Sequence, residues 1–307
     1  MKKFIINIAI FACLIATCDV LLGFGFKYLS AHAKGGDTGR NHYICHQLEK
    51  DIVIFGSSRA IHHYDPVILE DSLGASCYNC AKDGNGIIMM YGIYKMITER
   101  YQPTMLIYDL TAGFDLLAGD NKKFLGGLKY NYDCNHIDSI FWNVDPLERY
   151  KMAAQTYRYN SDFLQLTMDN IYPLRSDNNG YRPVDMTMTY EPKNDNRPDT
   201  ITYQYDELKM YYIKKLIADC KAKGTKIIFY ISPMYRANSD REYGPIIDYC
   251  MCNNIPIINH YCDKKYVFNK SYFYDSFHMN RTGATAYTKE VVAEVKNIIN
   301  SDTIVRQ

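Results

Sequence analysis

The sequence predicts an α/β fold: a parallel sheet with helices on both faces, preceded by one membrane-spanning helix. Three observations carry this. Short unbroken apolar runs such as "DIVIF", "TMLIYDL" and "TKIIFYIS" have the length and composition of strands buried on both faces. Helical segments alternate with them, the order that builds parallel sheets. At the start, "MKK" precedes an apolar run from Phe4 to Phe26, long enough to span a bilayer.

Taken in order, residues 1–29 are expected to form an anchor. Two lysines before the run favour the N-terminus inside and the rest outside. This places a single-pass protein in the cell membrane with its main domain on the extracytoplasmic, periplasmic side. Two other readings exist. "AHA" at Ala31 to Ala33 has the form of a signal-peptide cleavage site, and "IATC" ending at Cys18 has a loose lipoprotein form. Asp19 inside the run is costly unless it sits at an interface or has a partner. Residues 30–50 read as a polar linker, and 51–307 as the α/β domain.

Within that domain "DIVIF" is strand one. "DPVILEDSL" is a helix opened by Asp-Pro. "ASCYNCA" is strand two, "GIIMMYGIYKMITERY" a helix and "TMLIYDL" strand three. The pattern breaks from about residue 111 to 203, a long insertion rich in Tyr, Asn and Asp with the character of a lid or subdomain. "YDELKMYYIKKLIADCKAKG" then reads as an amphipathic helix closing on Lys and Gly. "TKIIFYIS" is strand four, "REYGPIIDYCMCNN" a helix, "IPIIN" strand five and "TGATAYTKEVVAEVKNIIN" the last helix.

Composition narrows the partners. The 307 residues include 35 basic and 34 acidic ones, net +1, so no nucleic-acid partner is expected. Tyrosine is abundant, 29 copies against one Trp, which suits wet clefts and sugar-like ligands or is plain compositional bias. Ten cysteines in an exported chain suit buried thiols or one or two bridges. Cys77 and Cys80 have the C-x-x-C spacing of redox and metal motifs, without a second such pair.

The chemistry is expected at the carboxyl ends of the strands, where parallel sheets bind ligands. Gly56, Ser57 and Ser58 follow strand one directly, and Gly allows the sharp turn there. A Ser at the start of a helix has backbone N–H groups around it, and it needs a base to become a nucleophile. His278 in "YDSFHMNRTGATAY" lies just before the last helix, and Asp275 can reach its other ring nitrogen.

"FGSSRA" after the first strand and "DSFH" before the last helix resemble the SGNH/GDSL hydrolase family, over about residues 51–299 apart from the insertion. The resemblance is nearest to membrane-anchored, cell-envelope members associated with polysaccharide acylation. It implies a three-layer α/β/α, flavodoxin-like sheet. It also implies a serine esterase or O-acyltransferase, acting on an acetyl ester of a cell-envelope glycan or on a small acyl ester, with no cofactor or metal. Ser58 takes the nucleophile's place, with Ser57 where the family has Asp; Asp275 and His278 take the Asp-x-x-His block. Gly84, with Gly86 next, matches the second block's oxyanion Gly, joined by the N–H of Ser58. The third block's Asn is missing from "YDLTAGFD", so either Thr111, Asn85 or a backbone N–H replaces it or the chain is weakened or inactive.

Further residues have paired readings. Arg59 guides a ligand or ties down a loop by pairing with an acid. Asn85 and Asp109, with Asp115 nearby, are expected beside the substrate. One of His62 and His63 lines the cleft, or they are simply solvated or packed. Ser232 and Tyr235 form pocket wall or a Pro-fixed turn. The alternative to an enzyme is a catalytically weak or inactive module that binds polysaccharide or an assembly partner at the membrane, which the missing Asn favours.

Overall fold

The computed structural model describes residues 1–134, 136–160, 162–172, 178–192 and 201–305. In chain order the elements are α1 (Lys2–Ala31), α2 (Gly36–His46), β1 (Ile52–Gly56), α3 (Ser58–His63), α4 (Pro66–Leu73), β2 (Cys77–Asn79), α5 (Ile87–Ile97), β3 (Met105–Asp109) and α6 (Ala112–Asp115). After these come α7 (Asp138–Val144), α8 (Glu148–Lys151), α9 (Phe163–Ile171), α10 (Glu207–Lys223), β4 (Lys226–Ile231), α11 (Gly244–Cys252), β5 (Ile257–Asn259), α12 (Lys264–Val267) and α13 (Arg281–Val305). The chain forms two compact units. One comprises Met1–Leu48, Lys95–Ile97 and Asn121–Ser176; the other comprises Glu49–Tyr94, Thr98–Asp120 and Asp177–Gln307.

In the first unit, α1 is 30 residues long and contains an 18-residue stretch with a mean hydropathy of 2.4, long and apolar enough to cross a membrane. Asp19 has the partner it requires: its carboxylate accepts from the N–H groups of Gln155 at 2.7 Å and Thr156 at 2.9 Å. The Phe26 ring meets Tyr159 and Phe163 at 5.4 and 5.5 Å. The expectation of a linker over 30–50 is corrected, because α2 fills its middle. That helix is polar yet buries Thr38, Asn41, Ile44 and Cys45. Its polar groups are paired inside the unit: the Thr38 N–H donates to Asp169 and Asn41 donates to the Gly127 carbonyl. Polarity here signals internal hydrogen bonding rather than solvent.

The second unit holds a five-stranded parallel sheet of order β2-β1-β3-β4-β5. Every residue of β1 and β3 is buried, as the unbroken apolar runs require. Successive side chains face opposite ways. Ile52 and Ile54 of β1, Ile107 of β3 and Ile228 of β4 pack with Ile61, Leu69, Tyr287 and Val291 from α3, α4 and α13. The alternate residues Val53, Phe55, Leu106 and Phe229 are equally buried on the other face. There, Tyr91 of α5 stacks near Tyr212 of α10 at 5.2 Å and donates to Asp219 at 2.7 Å. Helix ends follow the sequence signals: Asp65 and Asp206 cap α4 and α10, and left-handed Gly74 and Gly224 close them.

Within the expected insertion over 111–203 the structure draws narrower bounds. Residues up to Asp120 belong with the sheet and 121–176 with the first unit, after which the chain returns to the sheet. On return, Tyr181 and Met188 join the sheet core, and the Met188 N–H donates to the Phe273 carbonyl at 2.8 Å. Positions 135, 161, 173–177 and 193–200 of that stretch lie outside the described residues.

The sheet order reverses at β1, whose neighbours are β2 on one side and β3 on the other. Their carboxyl ends therefore form the switch-point crevice. Gly56 ends β1 with φ +141°, and a Cβ there would lie 2.6 Å from the Asp109 carbonyl oxygen and 2.7 Å from the Ala60 Cβ. Only glycine fits. Gly56→Ala should lower unfolding stability by about 1–3 kcal/mol, read as a shift in denaturant midpoint at constant slope.

Candidate active site

Ser58 is the first residue of α3, and Ser57 is its N-cap. The Ser58 hydroxyl lies 2.7 Å from His278 Nε2, across 220 residues of sequence. His278 Nδ1–H donates to Asp275, with Oδ2 at 2.9 Å and Oδ1 at 3.0 Å. With the Nδ1 proton held by the carboxylate, the Nε2 lone pair faces Ser58 and accepts its O–H. The Asp275 carboxylate also accepts from the N–H groups of Phe277 at 2.7 Å and His278 at 2.8 Å. Burial acts to raise the Asp275 carboxyl, but the hydrogen bonds and charge of His278, with those two N–H groups, hold it below its ordinary range.

A short hairpin presents the imidazole. Phe273 bridges Met279, and the Tyr274 N–H donates to the His278 carbonyl at 3.1 Å. The Tyr274 ring stacks on the His278 ring at 5.4 Å, and the His62 ring meets its edge at 5.3 Å. His62 is held in turn by the Arg182 carbonyl at 2.6 Å. His63 is fully buried, and its Nε2 accepts the Met279 N–H at 2.9 Å. Helix α3, which carries Ser58, thus grips the loop of His278 directly. Sequence reasoning left His63 as a packed residue; the adjacent "HH" after "GSSRAI" is the only sequence signal of its role.

Behind Ser58 lies a buried polar layer. Ser57 Oγ and Thr111 Oγ1 are 2.7 Å apart. Arg59 is 3% exposed and donates to Thr111 Oγ1 at 3.3 Å, the Ser232 carbonyl at 3.1 Å, the Tyr243 hydroxyl at 3.0 Å and the Leu110 carbonyl. Its partners are protein groups, so the loop-tying reading of Arg59 describes its contacts. Asp109 corrects an expectation: it does not reach the cavity. Its carboxylate is fully buried, accepting from Tyr64 at 3.0 Å and from the N–H and hydroxyl of Ser232, both at 2.9 Å. Strand parity explains this, since Asp109 points to the same face as Met105 and Ile107, beneath α3 and α13. Burial pushes its carboxyl up, against the pull of Arg59 and the Ser232 donors.

The second-block residues are also accounted for. Gly84 occupies a left-handed turn, and Asn85 donates to the Asp83 carbonyl at 2.9 Å. Neither lines the cavity beside Ser58. Gly86 packs under Phe114, where a Cβ would lie 2.4 Å from its carbonyl oxygen. Asp115 accepts from the N–H groups of Ile87 at 2.8 Å and Thr111 at 2.6 Å, which joins the starts of α5 and α6. Burial pushes its carboxyl up to about 6. Ser232 is a buried turn residue, whereas Tyr235 does line the cavity. Cys77 and Cys80 are both buried, and all ten cysteines are unbridged. Among the described residues no group of three His, Cys, Asp or Glu side chains is placed to hold a metal.

The cavity encloses about 780 Å³ and includes Ser58, Thr111 and His278 in its wall. No protein-family model matches the chain, and no curated protein matches it. Among solved structures, one from Bacteroides fragilis, described as a "putative acylhydrolase", matches at 10% identity and a TM-score of 0.39, covering 89% of this chain and 95% of its own.

Burial holds the His63 ring well below its ordinary value, so it stays neutral in the folded state. In the unfolded chain it takes up a proton below about pH 6.5. The unfolded state then binds more protons, and stability falls with falling pH through that window, by up to about 1.4 kcal/mol per unit. Denaturant titrations between pH 5 and 7 should show this slope, and His63→Gln should flatten it. Equal slopes in the two proteins would show that His63 is not the group responsible.

Proposed function

We propose that this chain is a serine-dependent ester hydrolase or acyltransferase. The observation that carries the reading is the 2.7 Å contact of Ser58 Oγ with His278 Nε2, backed by Asp275. Ser58 Oγ attacks the ester carbonyl while its proton passes to Nε2 of His278. The carbon–alcohol oxygen bond then breaks, and the leaving alkoxide takes that proton from His278. Water or a second alcohol attacks the acyl-Ser58 carbonyl, gives its proton to His278 and frees Ser58, which recovers the proton. Asp275 keeps its charge throughout and stabilises the transient imidazolium, consistent with its lowered carboxyl pKa.

The oxyanion needs donors, and two are supported by position. The N–H of Ser58 opens α3, where the first N–H groups of a helix have no intrahelical acceptor. The Thr111 hydroxyl is the second. Ser57 is fully buried and Thr111 Oγ1 also receives Arg59 Nε–H, an arrangement in which we assign the Ser57 hydroxyl as donor to Thr111 Oγ1. Those contacts leave the Thr111 proton for the cavity, in the role of the absent Asn side chain. The Gly84 N–H, expected there from the sequence, is given no role.

The resemblance to cell-envelope hydrolases supports a glycan hydroxyl as the alcohol. The apolar α1, with Lys2 and Lys3 at its start, supports placing the sheet unit on the extracytoplasmic side. The non-catalytic alternative is separated by labelling, since a fluorophosphonate modifies an activated serine and leaves a pure binding module untouched.

Ser58→Ala should abolish fluorophosphonate labelling and lower turnover of p-nitrophenyl esters by about 10⁴-fold or more, with an unchanged far-ultraviolet spectrum. Full activity in that variant rejects the mechanism. Thr111→Val should lower kcat by about 10²- to 10³-fold with a smaller change in KM, and Thr111→Ser should restore most of it. If valine is as active as threonine, the oxyanion donor lies elsewhere.

A further inference from the structure

The cavity beside Ser58 is far larger than an acetyl group requires. It encloses about 780 Å³, where one water's share of liquid is about 30 Å³. Its wall includes Phe114, Leu117, Met234, Tyr235 and Phe277. The charged side chains on the wall are engaged with protein groups. Arg59 has the four acceptors described above. Glu242 is 4% exposed and accepts from the hydroxyls of Tyr203 at 3.1 Å and Tyr261 at 3.2 Å. Arg236 pairs with Glu191 at 2.8 Å and donates to the Pro192 carbonyl at 3.4 Å.

A sugar ring in such a cavity would bury hydroxyls against groups already satisfied by one another, which is unfavourable. An alkyl chain asks for nothing but apolar contact. Building on the serine mechanism proposed above, we infer that the cavity is an acyl site for a medium-chain fatty acyl group, while the alcohol part stays toward solvent. This replaces the acetyl group expected from the sequence.

Gly113 supplies a direct probe. It lies on α6 in the cavity wall, and a Cβ added there meets no atom within 4 Å. Gly113 is itself exposed, so a larger side chain at this rim position has open space and can narrow the cavity without displacing backbone.

The test measures kcat/KM of the full chain on p-nitrophenyl esters from acetyl to decanoyl, with the alcohol constant, alongside Ser58→Ala and Gly113→Leu. Each added methylene should raise kcat/KM by about fourfold until the cavity is filled, so octanoyl should exceed acetyl by at least about 100-fold. Gly113→Leu should lower the octanoyl-to-acetyl ratio by about tenfold. Turnover that requires Ser58 but is flat with chain length, or highest for acetyl, overturns the acyl site and leaves the serine mechanism standing. A ratio unmoved by Gly113→Leu assigns the preference to another surface and also overturns it. An absence of Ser58-dependent turnover at every length overturns both.

Discussion

One buried cation organises the carboxyl edge of this sheet. The Arg59 guanidinium sits where the ends of β1, β3 and β4 converge and donates to groups that follow β3 and β4. A buried charge is tolerated only when paired and hydrogen-bonded, since its desolvation otherwise costs several kcal/mol. Arg59 meets that condition with the Tyr243 hydroxyl, Thr111, two carbonyls and Asp109 at 4.0 Å. Burial opposes its charge, and the nearby Tyr243 and Asp109 more than offset this. Asp109 in turn fixes Ser232 and Tyr64. Removing either partner would strand the other, a loss of about 3–5 kcal/mol, against 0–1 for an exposed pair. Ser58 is the residue next to Arg59, so the hydroxyl inherits its position from this network.

The imidazole is positioned by a second set of contacts, those of α13 and its leading loop with the same helix α3. Tyr287, Val291 and Val295 bury against the sheet with Ile61 and Tyr64. Polar contacts then fix the register. His63 accepts the Met279 N–H, Thr288 donates to the His63 carbonyl at 3.1 Å, and the Asp65 N–H donates to Thr288 at 3.0 Å. Apolar burial supplies most of the energy, because it scales with area. It is non-directional, however, and a slide of an ångström would separate Ser58 from His278. The directional bonds of His63 and Thr288 remove that freedom.

The strands were legible because a parallel sheet demands unbroken apolar runs, and the capped ends of α4 and α10 were legible in Asp65, Asp206, Gly74 and Gly224. Ser58, His278 and Asp275 were legible as positions, since topology alone sends strand ends and the loop before the last helix to one edge. The partners of Arg59 were not, because they lie up to 184 residues away and no local pattern marks them. Asp109 was misjudged by its place at a strand end, although its parity with Ile107 pointed inward. The polar α2 read as linker because composition does not distinguish hydrogen bonds to protein from those to water. The cavity wall is built from residues between 58 and 278, on α3, α6 and the loops of later elements, and its apolar character emerges only when they meet.

The same pairing that stabilises the edge shapes its chemistry. Arg59 and Glu242 reach the cavity wall, yet each is matched to protein partners, which leaves the space apolar. An apolar space strengthens any hydrogen bond made inside it once a ligand has displaced the water that would compete. A single oriented hydroxyl such as Thr111 is therefore worth more there than in an open cleft. The missing Asn and the apolar wall are thus two sides of one arrangement. On the proposed mechanism, a site with fewer oxyanion donors would keep their strength by excluding water, and the proposed fatty acyl chain, filling the cavity, would complete the exclusion.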